Sequence, residues 1–255
     1  MNTEPSRSES DWLQHLDRFD IPVLRRTTQE LARLRENEDK VTARDIAPVL
    51  LHDPMFTLRV LRHLQAHRRP VQQTDITTVQ HAVMMLGITP FFAHFADLPA
   101  VESTLADHPL ALRGLMRVVY RAHHAALYAR DWADLRQDAK ADEVAIAALM
   151  YDLAEILLWC FAPEASLCVA AQQDAQASLR SEVAQTTVFG LTFSDIQGKL
   201  IAHWKLAPML QELIDNPRPQ QLRAINVALA VRLARHSADG PWYSHEPGRP
   251  SIRRR

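Results

Sequence analysis

EVAIAALMYDLAEILLWCF, residues 143–161, is apolar on nearly every side of a helix. A helix with no polar face has to be enclosed by other elements. The run therefore predicts a helix at the centre of a bundle, stopped by Pro163. Within it, Asp152 is the charged residue expected to be covered.

The segments on either side of this run also carry helical spacing. Only six glycines occur in 255 residues, strict apolar-polar alternation is almost absent, and apolar residues recur every three or four positions. After Pro109, the residues Leu112, Leu115, Met116, Val119, His123, Ala126 and Leu127 fall on one stripe, so one histidine of the His123-His124 pair points inward. Further upstream, Thr42 with Asp45 forms a capping box, and Asp53-Pro54 places an N-cap acceptor before a proline suited to the first helical position. Thr74 or Asp75 starts a helix with Ile76, Val79, Val83 and Leu86 on one face, closed by Gly87 in a left-handed conformation. Downstream, a helix over 194–215 and a second with Leu222, Ile225, Leu229 and Leu233 as its apolar stripe are separated by Asn216-Pro217. The pattern predicts an all-α multi-helix bundle.

Residues 1–19 are polar and acidic and are predicted to be loosely ordered, with Trp12, Leu13 and Leu16 able to form one docking turn. Residues 237–255 are rich in Pro and Gly, end in Arg253, Arg254 and Arg255, and read as a flexible tail. Lys plus Arg (29) nearly balances Asp plus Glu (30), so the net charge of −1 supplies no field for a polyanion, and no nucleic-acid partner is expected. Cys160 and Cys168 have no CxxC spacing, which suits a reducing cytoplasm. With no signal-peptide pattern at the start and no apolar run of about 18 to 20 residues, the expected location is cytoplasmic, away from membranes.

Motif chemistry is sparse. Gly198-Lys199 fails as a phosphate loop because the earlier glycine position is Phe193 and the following Ser/Thr position is Leu200. No GxSxG elbow, HExxH helix or dinucleotide fingerprint occurs.

The order of segments is more specific. IPVLRRTTQELARL (21–34), TARDIAPVLLHDPMFTLRVLRHLQ (42–65) and ITTVQHAVMMLGITPFFAHF (76–95) resemble the N-terminal half of the HDOD domain, the HD-related output domain of bacterial regulators. The His123 helix, residues 149–157, and residues 190–204 leading into HWKLAP resemble that family's HD-like half. The resemblance covers 20–236 and implies an N-terminal helical lobe (20–108) packed on an HD-like helical lobe (109–236).

Active relatives in the wider HD superfamily hold metal with a histidine on one helix, a His-Asp doublet on a second and a late aspartate. Metal and hydroxide chemistry needs several such ligands to converge. Carried onto this chain, the first histidine is His123, the doublet reads Tyr151-Asp152, and the late aspartate falls at Val231. Further histidine positions fall at Phe193 and at Asp215-Asn216. These positions imply a vestigial site with no metal and no cofactor. The resemblance also implies that His123 and Asp152 lie close together, with Asp152 satisfied by His123, Tyr151 or backbone.

The leading expectation is a non-catalytic regulatory or scaffold protein in bacterial signal transduction. By resemblance, its partner would be a receiver domain, a GGDEF-type protein or a kinase, and self-association into a homo-oligomer is compatible with the sequence. The turn at His63, His67, Arg68 and Arg69 is one candidate interaction surface. Phe91, Phe92 and Phe95 form another candidate stretch for which core packing is favoured. The alternatives are a small-molecule or nucleotide sensor in the vacated metal cavity and a residual metal-dependent phosphohydrolase.

Overall fold

Local signals and long-range contacts meet at Asp53, which precedes Pro54 and caps the helix that begins there. A computed structural model describes residues 9–67, 79–176, 178–206, 208–216 and 220–238. The chain runs through α1 (Glu9–Asp17), α2 (Arg25–Arg35), α3 (Ala43–Leu51), α4 (Pro54–Ala66), α5 (Val79–Leu86) and α6 (Ile88–Phe95). The short α7 (Val101–Thr104) leads into α8 (Pro109–Leu135), α9 (Ala141–Leu149), α10 (Leu153–Phe161) and α11 (Pro163–Ala175). It closes with α12 (Ser181–Phe189), α13 (Phe193–Trp204), α14 (Pro208–Asp215) and α15 (Leu222–Ala238). Among the described residues there is no strand; one isolated parallel bridge pairs Val23 with Ala100.

The Asp53 carboxylate accepts from Met55 N (2.9 Å) and Phe56 N (3.0 Å) at the start of α4. Its other oxygen accepts from Leu24 N (2.7 Å) and Thr27 Oγ1 (2.7 Å) at the start of α2. One fully buried side chain thus satisfies orphan donors of two helices and fixes their ends together. The capping box also forms: Asp45 accepts from Thr42 N (2.9 Å) and Thr42 Oγ1 (2.7 Å). Gly87 has φ +82°, a conformation that glycine adopts without strain. Its N–H closes α5 on Val83 O (2.9 Å), and its carbonyl accepts from Phe91 N (3.0 Å) to open α6. Thr74, Asp75, Ile76, Arg68 and Arg69 lie outside the described residues, as do residues 239–255 of the expected tail.

α8 is the axis of the second half, packed by α9, α10, α11 and α15, while α4 reaches α8 from the first half. Its buried face is built from Ala111, Leu115, Val118, Val119, Ala122, Ala125, Ala126, Ala129 and Ala133. Small side chains let helix axes approach closely, and α15 answers with Ala224, Val227, Ala230, Val231 and Ala234. The leucines expected to form the α15 stripe face outward: Leu222, Leu229 and Leu233 are exposed, as is Leu127 on α8. Size at the contact, rather than hydrophobicity, selected the inner face. Phe91, Phe92 and Phe95 are buried and belong to the core.

Three expectations are corrected. The 143–161 run is two helices, α9 and α10, separated by a turn at Met150, Tyr151 and Asp152. The 194–215 helix is likewise two, because Lys205 takes a left-handed conformation (φ +50°) and Pro208 starts α14 afresh. Residues 9–17 are ordered as α1, with Trp12 and Leu16 buried. Trp12 Nε1 donates to Phe189 O (3.3 Å), and its ring packs edge-on against Phe189, so α1 is strapped to the second half.

Contrary to the expectation that no apolar run reaches membrane-spanning length, the stretch Ala141–Phe161 has the length and apolarity of a span, but 83% of its most apolar window is buried inside this bundle. Burial against its own neighbours explains the composition. Part of that burial depends on Gly114. A Cβ added there would sit 2.6 Å from the Trp159 ring, so the indole of α10 lies directly on the α8 backbone. Gly114→Ala is expected to destabilise the protein by about 1–3 kcal/mol through overpacking, read as a melting midpoint lower by a few degrees. An unchanged midpoint would contradict this contact.

Candidate functional site

The turn between α9 and α10 leaves backbone groups without helical partners, and a side chain of α13 satisfies them. Gln197 Nε2 donates to Met150 O (3.1 Å) and Tyr151 O (2.5 Å), and its Oε1 accepts from Ala154 N (2.8 Å). Gln197 is itself buried. This stitch holds Asp152 at the N-cap position of α10, with its carboxylate turned toward α8 and α15.

Two guanidinium groups meet that carboxylate. Arg235 Nη2 of α15 donates to Asp152 Oδ1 (2.5 Å), and Arg121 Nε of α8 donates to Oδ2 (3.2 Å). Arg121 Nη2 also donates to Glu155 Oε2 (2.7 Å), one turn along α10. Two cations therefore balance two carboxylates. Burial alone would raise the Asp152 pKa, but attraction to Arg235 and Arg121 reverses this and holds it below the ordinary carboxylate range. The Arg235 guanidinium also lies over the Tyr151 ring, 5.6 Å from its centroid.

The expected pairing of His123 with Asp152 does not form. Arg121 faces Asp152 from α8, and a residue two positions further along a helix is turned by about 200°, which points His123 elsewhere. It packs against His52 of the α3 end, ring centroids 4.4 Å apart, at a cavity of about 170 Å³. Its Nδ1 is buried and has no hydrogen-bond partner among the described residues. Burial, reinforced by His52, lowers its pKa to about 4. Phe193 opens α13 and packs on Phe189 (5.6 Å), while Val231 is buried on α15 one turn before Arg235. Asp215 ends α14 and accepts from Gln211 Nε2.

The residues do not fit a metal ion. Both Asp152 oxygens are engaged by arginines, and Tyr151, Phe193 and Val231 bring no ligand of the expected type. Among the described residues no group of three or more His, Cys, Asp or Glu is placed to hold a metal. Sequence reasoning missed Arg121, Arg235, Glu155 and Gln197. Arg235 follows Val231 by four residues and is its neighbour along α15, but no local signal marked it as the partner of Asp152.

At the other candidate surface, His63 and His67 of the last α4 turns stack at 4.2 Å, and His94 of α6 lies 4.4 Å from His63. His67 Nδ1 contacts His63 O (2.8 Å).

The chain is an all-helical bundle in which arginines from two helices engage the carboxylate at the turn between α9 and α10. The HDOD domain model matches residues 21–218, and the chain belongs to the HDOD family. The fold is shared with the MmoQ response regulator from Methylococcus capsulatus str. Bath: TM-score 0.65, 18% identity, covering 88% of this chain and 91% of that one. It is also shared with a virulence factor from Campylobacter jejuni subsp. jejuni: TM-score 0.66, 16% identity, covering 90% and 82%. No curated protein matches the chain in sequence.

Two outcomes follow from this geometry. Asp152→Ala should cost roughly 3 kcal/mol, the lower end for breaking a buried pair because Arg235 is half exposed. In a double-mutant cycle by urea denaturation, Asp152 should couple to Arg235 and not to His123, with additivity for the latter within about 0.5 kcal/mol. The second concerns pH. His123 titrates near 4 in the fold against an ordinary 6.5, so the unfolded chain takes up the proton first and stability falls as pH drops from 6.5 to 4. His123→Leu should flatten the urea midpoint across that window; an equally steep loss in the variant would contradict the assignment.

Proposed function

We propose that this chain is a non-catalytic regulatory or scaffold protein of bacterial signal transduction that acts in the cytoplasm by binding another protein. The observation that carries the reading is the engagement of both Asp152 oxygens by Arg235 and Arg121. A carboxylate so engaged is poorly available as a metal ligand, and the neighbouring ligand positions are Tyr151, Phe193 and Val231. Membership of the HDOD family and a shared fold with a protein described as a response regulator support the signalling role.

The partner class is a receiver domain, a GGDEF-type protein or a kinase. The end of α4 is the proposed contact, with His67 exposed there and Arg68 and Arg69 following in sequence. A formal charge of −1 argues against nucleic acid as partner. Engagement of the Asp152 carboxylate by two guanidinium groups counts against both a sensor and a phosphohydrolase at that point.

The purified full chain, incubated separately with Mn²⁺, Mg²⁺, Fe²⁺ and Zn²⁺, should not turn over a chromogenic phosphodiester or cyclic dinucleotides. Metal analysis should find no stoichiometric ion. Turnover that disappears in Asp152→Ala would overturn the non-catalytic reading. Capture of a receiver-, GGDEF- or kinase-containing protein that is lost in a His63→Ala/His67→Ala variant would support the contact surface, whereas equal capture would remove it.

A further inference from the structure

A cavity of about 550 Å³ lies where α4 and α6 meet the end of α13 and the chain entering α2. It is separate from the Asp152 turn, none of whose residues line it. Its walls carry three permanent cations. Arg59 donates to Asp20 and to Ile21 O (2.5 Å). Arg62 pairs with Asp17 (2.7 Å) and lies over the Trp204 ring at 4.3 Å. Lys205 makes no ion pair among the described residues, although it stands in the wall in a left-handed conformation that a non-glycine residue adopts at some cost.

Three cations against the two carboxylates Asp17 and Asp20 leave one positive charge before any histidine is protonated. Four histidines then line the same space: His63, His67, His94 and His203. His63 stacks on His67 at 27° between planes, and His94 lies against His63 tilted at 47°. Among the described residues these histidines form no group placed to hold a metal ion, and the cluster of ring surfaces suits a flat ligand. Phe19, 40% exposed, offers a further ring face at the rim, braced from behind by Phe161 at 4.6 Å.

We propose that this cavity binds a nucleotide-class ligand, a small molecule bearing a phosphate and a planar ring. Lys205, with Arg59 and Arg62 beside it, supplies the phosphate contact. Phe19, His67 and His94 supply the ring contact. The volume is in the range of sites for such ligands and is larger than an inorganic anion needs. Because α4 and α6 belong to the first half and α13 to the second, a bound ligand would fasten the two halves together.

The test is isothermal titration of the full chain with adenosine monophosphate, guanosine monophosphate, adenosine and inorganic phosphate at low and moderate salt. At least one mononucleotide should bind saturably with a Kd at or below about 1 mM, about tenfold or more tighter than adenosine or phosphate, and more weakly as salt rises. Lys205→Gly keeps the backbone conformation available while removing the charge, and His94→Ala alters an exposed ring. Each should weaken mononucleotide binding about fivefold or more while the unliganded melting midpoint stays within about 2 °C. Absence of saturable binding by both mononucleotides would overturn the proposal, as would equal binding of adenosine or undiminished affinity in both variants.

Discussion

A carboxylate removed from water has to be neutralised or fully hydrogen-bonded, and Asp152 meets that constraint with guanidinium groups from two different helices. Arg121 approaches from α8 and Arg235 from α15, so the pair of contacts fixes both helices against the turn that carries Asp152. Gln197 then locks the same turn from α13. Four elements at the centre of the second half are positioned through one polar junction. The break in the 143–161 run places Asp152 at the N-cap position of α10.

The first half relies on a comparable device with a different solution. Asp53 is satisfied by backbone and hydroxyl donors from two helix starts, and no ion pair to it occurs among the described residues. Burial raises its pKa while those four donors oppose the rise. Asp53 is therefore a joint between α2 and α4, and Asp152 a joint among α8, α13 and α15 through its neighbours. Both are carboxylates at the N-terminus of a helix, where the helix dipole favours negative charge. One has been given protein donors and the other protein cations.

Much of the architecture was legible in the chain. Capping at Thr42 and Asp53 and the positive φ at Gly87 are set by the chemistry of one or two residues, so they read directly from sequence. Helix phase was less accessible. The α15 leucines were more hydrophobic than the alanines and valines on its opposite face, yet close helix approach favours small side chains at the contact. The α1 helix was short and polar in composition, and only the distant Phe189 surface explains why Trp12 is buried.

The sequence by itself determined that the protein is an all-helical bundle with the HDOD order of segments, because periodicity, caps and breakers act over a few residues. Which cation would neutralise Asp152, and which way His123 would face, was decided only by tertiary structure. Those contacts join residues 31 and 83 positions apart on helices whose rotation about their axes is set by packing. A rotation of α8 by half a turn would exchange Arg121 for His123 without altering any local signal in the chain.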